Sequence, residues 1–372
     1  MTDFKFYPQI VVWEITFACN MRCLHCGTAA GKKRPDELTT DEALNLIDEL
    51  AALGCESLIL SGGEPFLRPD WRQLAERTVK DGIKCGIISN GYAITKEIVD
   101  DMERLKIGKV GISFDGSEKI HNHIRQRDDS WKKAYESMKM MSENGHVKFV
   151  AVSQISNINL DDMDEIHKAL LDVGCKEWRI QMTTNTGRMM EHNNLVLTLD
   201  KYPQLIDKIL EIKKDKRMYV DVGENIGYYG CKGYELLDGG IYCGCYAGMR
   251  VLGIESNGSI KGCLSMPEQF VEGNIRDSSL TEIWNNPDGF AYNRKFTRES
   301  AAGECYNCKY LPICRGGCAT TSVSATGHRA NNPYCIYQME MKQGITCEDS
   351  PRVLELLEPF KEAMLEPDRA GI

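Results

Sequence analysis

Apolar and polar positions follow two periods along the first half of the chain, and the switches between them predict a repeating β/α pattern. Short β-rich runs at residues 11–15, 57–60, 83–89, 109–114, 147–154 and 178–182 read as strands. Between them, apolar residues recur every three or four positions over 39–53, 71–81, 96–105, 131–144 and 160–173, which predicts helices. The first helix carries its own start signal, Thr39 followed three residues later by Glu42, the spacing of a capping box. A last helix is expected over 202–212. Six β/α repeats imply a parallel sheet, because parallel neighbours need crossover helices and such crossovers are right-handed. Periodicity leaves open whether the sheet rolls into a partial barrel or lies flat and doubly wound. In both cases ligands sit beyond the carboxyl ends of the strands.

The pattern fades near residue 220. From 223 to 344 glycines and cysteines multiply and the only helical stretch expected is short, over 279–285. A region with little apolar periodicity but cysteines from Cys231 to Cys335 reads as a module held together by metal sites. The expected organisation is an N-terminal extension at 1–10, a β/α domain at 11–220, a cysteine-rich module at 221–347 and a C-terminal tail at 348–372.

Composition changes this picture at one point. The 372 residues, 42 % apolar and 27 % charged, suit a folded globular chain and exclude disordered, collagen-like and coiled-coil classes. A net charge of -9, from 45 basic and 54 acidic side chains, argues against a nucleic-acid-binding surface. The opening MTDFKFYPQI lacks the features of a secretory signal, and no apolar run approaches the roughly 20 residues of a membrane span. The expectation is a cytoplasmic protein without membrane association. Sixteen cysteines are the anomaly, and in a reducing compartment clustered cysteines bind metal or act in redox chemistry.

Cys19, Cys23 and Cys26 follow the first strand in a C-x3-C-x2-C spacing. Three thiolates on one loop can hold three corners of a four-iron four-sulfur cluster and leave the fourth iron open, whereas clusters that only carry electrons normally have four cysteine ligands. A zinc site that borrows a fourth ligand such as His25, and chance spacing, are the alternatives. Further strand ends carry Ser61-Gly62-Gly63-Glu64-Pro65, Ser89-Asn90-Gly91 and Ser113-Phe114-Asp115-Gly116, with Arg125 following and Gln154 ending the fifth strand. Glycines at 62 and 63 allow close backbone approach to a ligand, and Glu64 offers a carboxylate to a cationic amine. Taken singly, Gly62-Gly63 and Asn90-Gly91 also fit ordinary turns.

In this order of motifs the chain resembles the radical S-adenosylmethionine (radical SAM) superfamily over nearly its whole length. The resemblance implies a partial (β/α)6 TIM-type barrel. It also implies a cluster on Cys19, Cys23 and Cys26, and S-adenosylmethionine contacts from His25, Gly62, Gly63, Glu64, Pro65, Ser89, Asn90, Ser113, Asp115, Arg125 and Gln154. The implied reaction is reductive cleavage of S-adenosylmethionine to methionine and a 5′-deoxyadenosyl radical, which abstracts hydrogen from a substrate. No residue is assigned as catalytic base; Asp115, Gln181 and Arg188 are polar residues at the expected barrel mouth.

The second half contains Cys245-x12-Gly258-x4-Cys263, then Cys305-x2-Cys308-x5-Cys314-x3-Cys318, and Cys335. Paired C-x2-C knuckles of a zinc ribbon match these spacings poorly. The array resembles the SPASM module, in agreement with intervening Gly273-Asn274-Ile275, Glu282-Ile283-Trp284 and Arg315-Gly316-Gly317. This implies two auxiliary 4Fe-4S clusters, three clusters in all. One would use Cys305, Cys308, Cys314 and Cys335; the other would use Cys245, Cys263, Cys318 and a fourth ligand, Cys231 or Cys243. Cys243 lies only two residues from Cys245, which tilts the choice to Cys231, and an open position is the alternative. Cys55, Cys85 and Cys175 read as core packing, and Cys347 has no assigned role.

Relatives with such a module mostly act on ribosomally made peptides or on proteins, which makes a peptide or protein the expected substrate of an oxidative modification or crosslink. The alternatives are a small molecule such as a haem precursor, anaerobic sulfatase maturation, and, outside enzymes, a multi-cluster electron carrier. The expected partner is a flavodoxin or ferredoxin as reductant; since about ten residues before the first strand leave no room for a fused leader-binding domain, a leader peptide would need a separate binding protein or a groove on this chain.

Overall fold

The computed structural model describes residues 5–360, so the part of the expected C-terminal tail from 361 onward lies outside the described residues. Each expected β/α unit is present. The strands are β1 (Ile10–Thr16), β2 (Ser57–Gly62), β3 (Lys84–Ser89), β4 (Lys109–Ser113), β5 (Phe149–Ile155), β6 (Glu177–Met182) and β7 (Tyr219–Val222). The helices between them are α1 (Thr40–Ala52), α2 (Trp71–Lys80), α3 (Lys96–Arg104), α4 (Glu118–Arg125), α5 (Ser130–Asn144), α6 (Met163–Asp172) and α7 (Tyr202–Ile212). α1 starts at the expected capping box, with Thr39 and Glu42 bonding each other's backbone.

All neighbours from β1 to β7 pair in parallel and in chain order. A doubly wound sheet reverses its strand order at a switch point. This sheet does not, and it winds in one direction as an unclosed barrel. β7 makes the parallel run one strand longer than the six expected; at four residues, YVDV, it is too short to stand out as a period. Beyond β1 the sheet continues through β8 (Val251–Ile254), parallel to β1, and the antiparallel β9 (Ser259–Lys261) and β10 (Val271–Asn274). β8 occupies the edge of β1 that β7 would need to close the barrel.

β1 is therefore an interior strand, and Val11, Trp13 and Ile15 are fully buried on one face while Glu14 and Thr16 are buried on the other. Burial pushes the Glu14 carboxyl up despite Arg34 at 3.3 Å and the Ser256 hydroxyl at 2.8 Å.

The cysteine-rich half shares this sheet and its core. Its helices are α8 (Cys231–Leu236), α9 (Leu280–Asn285), α10 (Ala291–Arg294), α11 (Leu311–Cys314), α12 (Ala319–Thr326), α13 (Ile336–Lys342) and α14 (Pro351–Leu357). Leu252, Ile254, Ile260, Leu280, Ile283, Trp284 and Phe290 join the main apolar core together with Cys55, Cys85 and Cys175. Among the described residues the outer part has two separate small clusters, one around Tyr228, Tyr229, Tyr310, Val353 and Leu357 and one around Ala301, Cys305, Leu311 and Ala330. Part of the region expected to depend on metal thus rests on the barrel.

A buried arginine fixes the entry to the loop after β1. Arg68 donates to the carbonyls of Ile15 (2.7 Å) and Leu38 (3.0 Å), and to both carboxylate oxygens of Asp70. Arg68 is 6 % exposed, so removing it takes the donor from two carbonyls and leaves the half-buried Asp70 carboxylate with the Thr40 hydroxyl at 2.8 Å but, among the described residues, no counterion. Arg68→Ala is expected to cost about 3 kcal/mol, the range for breaking a buried ion pair from one side. Arg68→Lys, which cannot serve all these acceptors, should recover only part of it. Anaerobic denaturant titration checks both.

Candidate cofactor and metal centres

The carboxyl ends of β1 to β6 converge on the segment that carries Cys19, Cys23 and Cys26. This loop is held from four sides. Its start continues the β1 and β2 ladder, since Gly63 N donates to Thr16 O and Glu64 N to Ala18 O, both at 2.8 Å. A Cβ on Gly62 would collide with the Thr16 carbonyl, and one on Gly63 with the Ala18 carbonyl; Gly62 also has φ +138°. The two glycines accordingly make room for the cysteine loop itself, a different close approach from that to a ligand.

On the second side, Leu24 N donates to Ile124 O in α4. On the third, the segment after β6 backs the loop: Arg188 donates to the carbonyls of Cys23 (2.7 Å) and Ala30 (2.8 Å), and Arg188 N to Cys26 O (2.9 Å). Arg188 is buried and spends its guanidinium on loop carbonyls. On the fourth, Asn90 donates to Asn20 Oδ1 (2.8 Å) and Cys19 Sγ (3.9 Å).

The three thiols each have a polar neighbour: Asn90 at Cys19, Arg125 Nη1 at Cys23 Sγ (3.8 Å) and Thr28 at Cys26 Sγ (3.6 Å). Burial pushes the Cys19 thiol up to about 12 and raises that of Cys23 despite Arg125. Such thiols ionise when a metal binds.

Of the remaining expected contacts, Asp115, His25 and Arg125 are bonded to one another. Asp115 is fully buried; Oδ2 takes His25 Nε2 (3.1 Å) and Arg125 Nε (2.7 Å), and Oδ1 takes Gln154 N (2.9 Å). Burial opposes ionisation here, but Arg125 and His25 outweigh it and hold the carboxyl well below its usual range. His121 accepts from Asp115 N (3.1 Å) and is kept neutral, its pKa lowered to about 3 by burial and by Arg125. Gln154 Nε2 donates to Gln181 Oε1 (2.7 Å).

Glu64 behaves in the opposite way. It is fully buried and accepts from Ser89 Oγ (2.8 Å) and Asn90 N (2.9 Å). Among the described residues it has no ion-pair partner, and burial raises its carboxyl to about 7. Nearby, His25 Nδ1 is buried without a partner. A buried carboxylate that lacks a cation and an orphaned ring nitrogen, beside three thiols, fit a ligand with an ammonium group and a polar ring next to a metal cluster.

In the second half, Cys305, Cys308, Cys314 and Cys335 line one small cavity with Tyr228, Gly317 and Asn332. Burial raises the Cys335 thiol to about 12 and that of Cys308 to about 11. Cys245, Cys263 and Cys318 lie within electrostatic reach of one another, and burial first, then Cys245, raises Cys263 to about 12. Tyr228 stands between the two groups: its Oη accepts from Cys318 N (3.0 Å) and Asn332 Nδ2 (2.9 Å), and its backbone has φ +93°, a strained value for a bulky residue. Of the two candidates for a fourth ligand beside Cys245, Cys231 has its sulfur next to Glu340 and Cys347. This turns the preference to Cys243.

Sequence reasoning missed α4, Arg68 and Tyr228; it singled out Arg188 as a polar residue at the barrel mouth, whereas its guanidinium serves the carbonyls of Cys23 and Ala30. α4 hides because its inward face is His121 and Arg125 as well as Ile124, so it has no apolar stripe.

Comparison with known proteins places these features in a family. Residues 13–172 match the radical SAM superfamily, and residues 243–309 match the SPASM iron-sulfur cluster-binding domain. The chain is 28 % identical over 346 residues to an AdoMet-dependent heme synthase of Methanosarcina barkeri, covering 89 % of this chain and 97 % of that protein. It is also 28 % identical over 314 residues to the mycofactocin maturase MftC of Mycolicibacterium smegmatis, covering 84 % of this chain and 78 % of that one. Streptococcus suis SuiB bound to S-adenosylmethionine has the same fold, with a TM-score of 0.68 at 18 % identity over 88 % of this chain and 76 % of that chain. Among the described residues no helix is long and apolar enough to cross a membrane. The first match begins inside β1 and ends with α6, spanning the strand ends described above, and the second lies among the later cysteines: the chain is a radical SAM superfamily enzyme with a SPASM domain.

Proposed function

We propose that this enzyme binds S-adenosylmethionine at the carboxyl ends of β1 to β5 and uses it to start an oxidative radical modification of a peptide or protein. The observation that carries the binding site is Glu64, a fully buried carboxylate without a cation, beside the three-thiol loop. Cys19, Cys23 and Cys26 hold the cluster, and Glu64 takes the methionine ammonium. His25 offers Nδ1 to the adenine, and Ser89, Asn90, Ser113, Gly62, Gly63 and Pro65 wall the site. Asp115 and Arg125 act as positioning residues: they orient His25 and place a cation beside Cys23. Gln154 and Gln181 form the far wall. Bound S-adenosylmethionine and its cluster supply, on one-electron reduction, a 5′-deoxyadenosyl radical that takes a hydrogen atom from the substrate.

Cys305, Cys308, Cys314 and Cys335 hold one auxiliary cluster. Cys245, Cys263 and Cys318, with Cys243 as the fourth ligand, hold the other, for three 4Fe-4S clusters in all. The boundary between the domains falls near residue 220, in the cytoplasm a flavodoxin or ferredoxin supplies the electron, and a separate protein presents any leader peptide.

Similarity to the mycofactocin maturases supports the peptide reading. A second reading, a haem precursor as substrate, rests on the similarity to AdoMet-dependent heme synthases over 97 % of the Methanosarcina barkeri protein. Anaerobic assays with dithionite and S-adenosylmethionine separate them. A short peptide encoded beside the gene should raise 5′-deoxyadenosine several-fold above background and gain a mass change; a rise with an iron-porphyrin haem precursor alone would select the second reading.

Glu64 makes the binding depend on pH. Its raised carboxyl means that the ligand-free folded chain keeps this proton longer than the unfolded chain, whose carboxyl titrates near 4.5. Its contribution to stability is therefore present below pH 4.5 and is lost as pH rises through about 7. A bound ammonium favours the ionised form, so S-adenosylmethionine should bind about tenfold more weakly at pH 6 than at pH 8. Glu64→Gln should bind weakly and lose this share of the pH dependence; equilibrium dialysis with the reconstituted enzyme measures both.

Replacing Cys19, Cys23 and Cys26 together with alanine should abolish 5′-deoxyadenosine formation and leave roughly eight iron atoms per chain. About four would mean a single auxiliary cluster.

A further inference from the structure

Outside these centres, two thiols and a carboxylate meet at a point that neither the radical chemistry nor the auxiliary sets use. Cys231 Sγ, Cys347 Sγ and a carboxylate oxygen of Glu340 all lie within 4.8 Å of one another. They come from three separate elements: Cys231 begins α8, Glu340 lies in α13, and Cys347 belongs to the segment that leads into α14. Around a tetrahedral zinc ion, with Zn–S near 2.3 Å, ligand atoms stand roughly 3.8 Å apart, so this spacing matches one ion and three donors.

The carboxylate is built in place. Glu340 is 5 % exposed and accepts from Cys231 N (2.8 Å) and Lys232 N (3.0 Å), one bond to each oxygen. A carboxylate oxygen has two lone pairs, so each oxygen keeps one for a metal. A Cβ on Gly230, where φ is +95°, would collide with Glu340 Oε2; the chain closes tightly around this group. Such outer hydrogen bonds orient metal ligands. Cys347 is exposed, which gives an ion an entry path and leaves one position to water.

We propose that Cys231, Glu340 and Cys347 bind a single zinc ion, with water as the fourth ligand. Two thiolates and a carboxylate suit a borderline-soft divalent cation. Binding releases the two thiol protons and moves no electrons. The ion fastens the C-terminal segment, whose Asp349 accepts from Tyr234 (2.8 Å) and Lys309 (2.7 Å) and bonds Tyr310, and whose Val353 and Leu357 pack with Tyr229, Tyr310 and Cys314. The zinc site is thus a clip that holds this segment over the wall of the four-thiol cavity.

The test uses the full-length enzyme, anaerobically reconstituted with iron and sulfide, exposed to one equivalent of zinc chloride and desalted. Metal analysis should find about one zinc per chain. Cys347→Ser and Cys231→Ser should each lower zinc at least fivefold and leave iron unchanged. Absence of zinc in the unsubstituted enzyme, or equal zinc in the variants, overturns the proposal. Loss of about four iron atoms in Cys231→Ser would return this residue to a cluster, and a Cys231–Cys347 disulfide found by mass spectrometry without reductant would replace the metal by a thiol pair. Because zinc and iron are counted separately, these outcomes do not depend on the S-adenosylmethionine site.

Discussion

The site is organised by one buried carboxylate. Asp115 follows β4 and receives bonds from the cysteine loop through His25, from α4 through Arg125, and from β5 through the backbone of Gln154. Its own backbone is used as well, with N–H to His121 and carbonyl to Asn159 Nδ2. Three segments distant in sequence are thereby given a fixed relation. Arg125 extends the network to the Cys23 sulfur, so the position of a thiol proposed to hold the cluster depends on a group at the end of another strand. A neutral residue at 115 would leave Arg125 buried without its counterion, which makes this pair a condition of the loop's geometry.

Glu64 shows by contrast what the same burial does without a cation. Both carboxylates are fully buried, yet Arg125 and His25 lower Asp115 while desolvation dominates at Glu64. Burying an unpaired charge is costly, and Glu64 relieves the cost by holding its proton to about pH 7. Two acids with opposite shifts in one site have different tasks. Asp115 is satisfied by the chain itself and serves as scaffold, whereas Glu64 has capacity left for a positive ligand. The sequence motif alone did not separate these roles, since both residues end strands in similar turns.

Much of this was legible before any coordinates. Strands and helices up to residue 212 follow from period because their buried stripes are apolar, as in α1 with Ala43, Leu46, Ile47 and Leu50. The thiol groupings came from the resemblance to the SPASM module, because spacing alone does not say which cysteines share a cluster. What escaped were elements whose inward face is polar or very short: α4 with His121 and Arg125, and β7 with four residues. Arg68, and the role though not the place of Arg188, were opaque for a related reason. Their work is to satisfy carbonyls of a loop without regular structure, and no sequence period reports which carbonyls a fold leaves unpaired. The glycines at 62 and 63 were read as space for a ligand, but the space is taken first by Thr16 and Ala18.

The cysteine-rich half divides by what surrounds it. Next to β1, strands β8 to β10 and α9 join the barrel core through Leu252, Ile260 and Trp284, so apolar burial contributes to their order. Farther out the packing is tyrosine on tyrosine, with Tyr229 and Tyr310 stacked at 4.0 Å, around thiols whose pKa values burial has raised. Aromatic pairs add only about 1 kcal/mol beyond the area they bury. Helices of four to eight residues such as α11 and α12 are too short to stand alone. The strained backbone of Tyr228, which bridges the two thiol groups, must likewise be held by its surroundings. On the proposed assignment of the auxiliary clusters, the outer half draws its order from ligands drawn together by metal, whereas the barrel and its extension draw theirs from apolar burial, and the sheet through β1 and β8 is where the two kinds of order join.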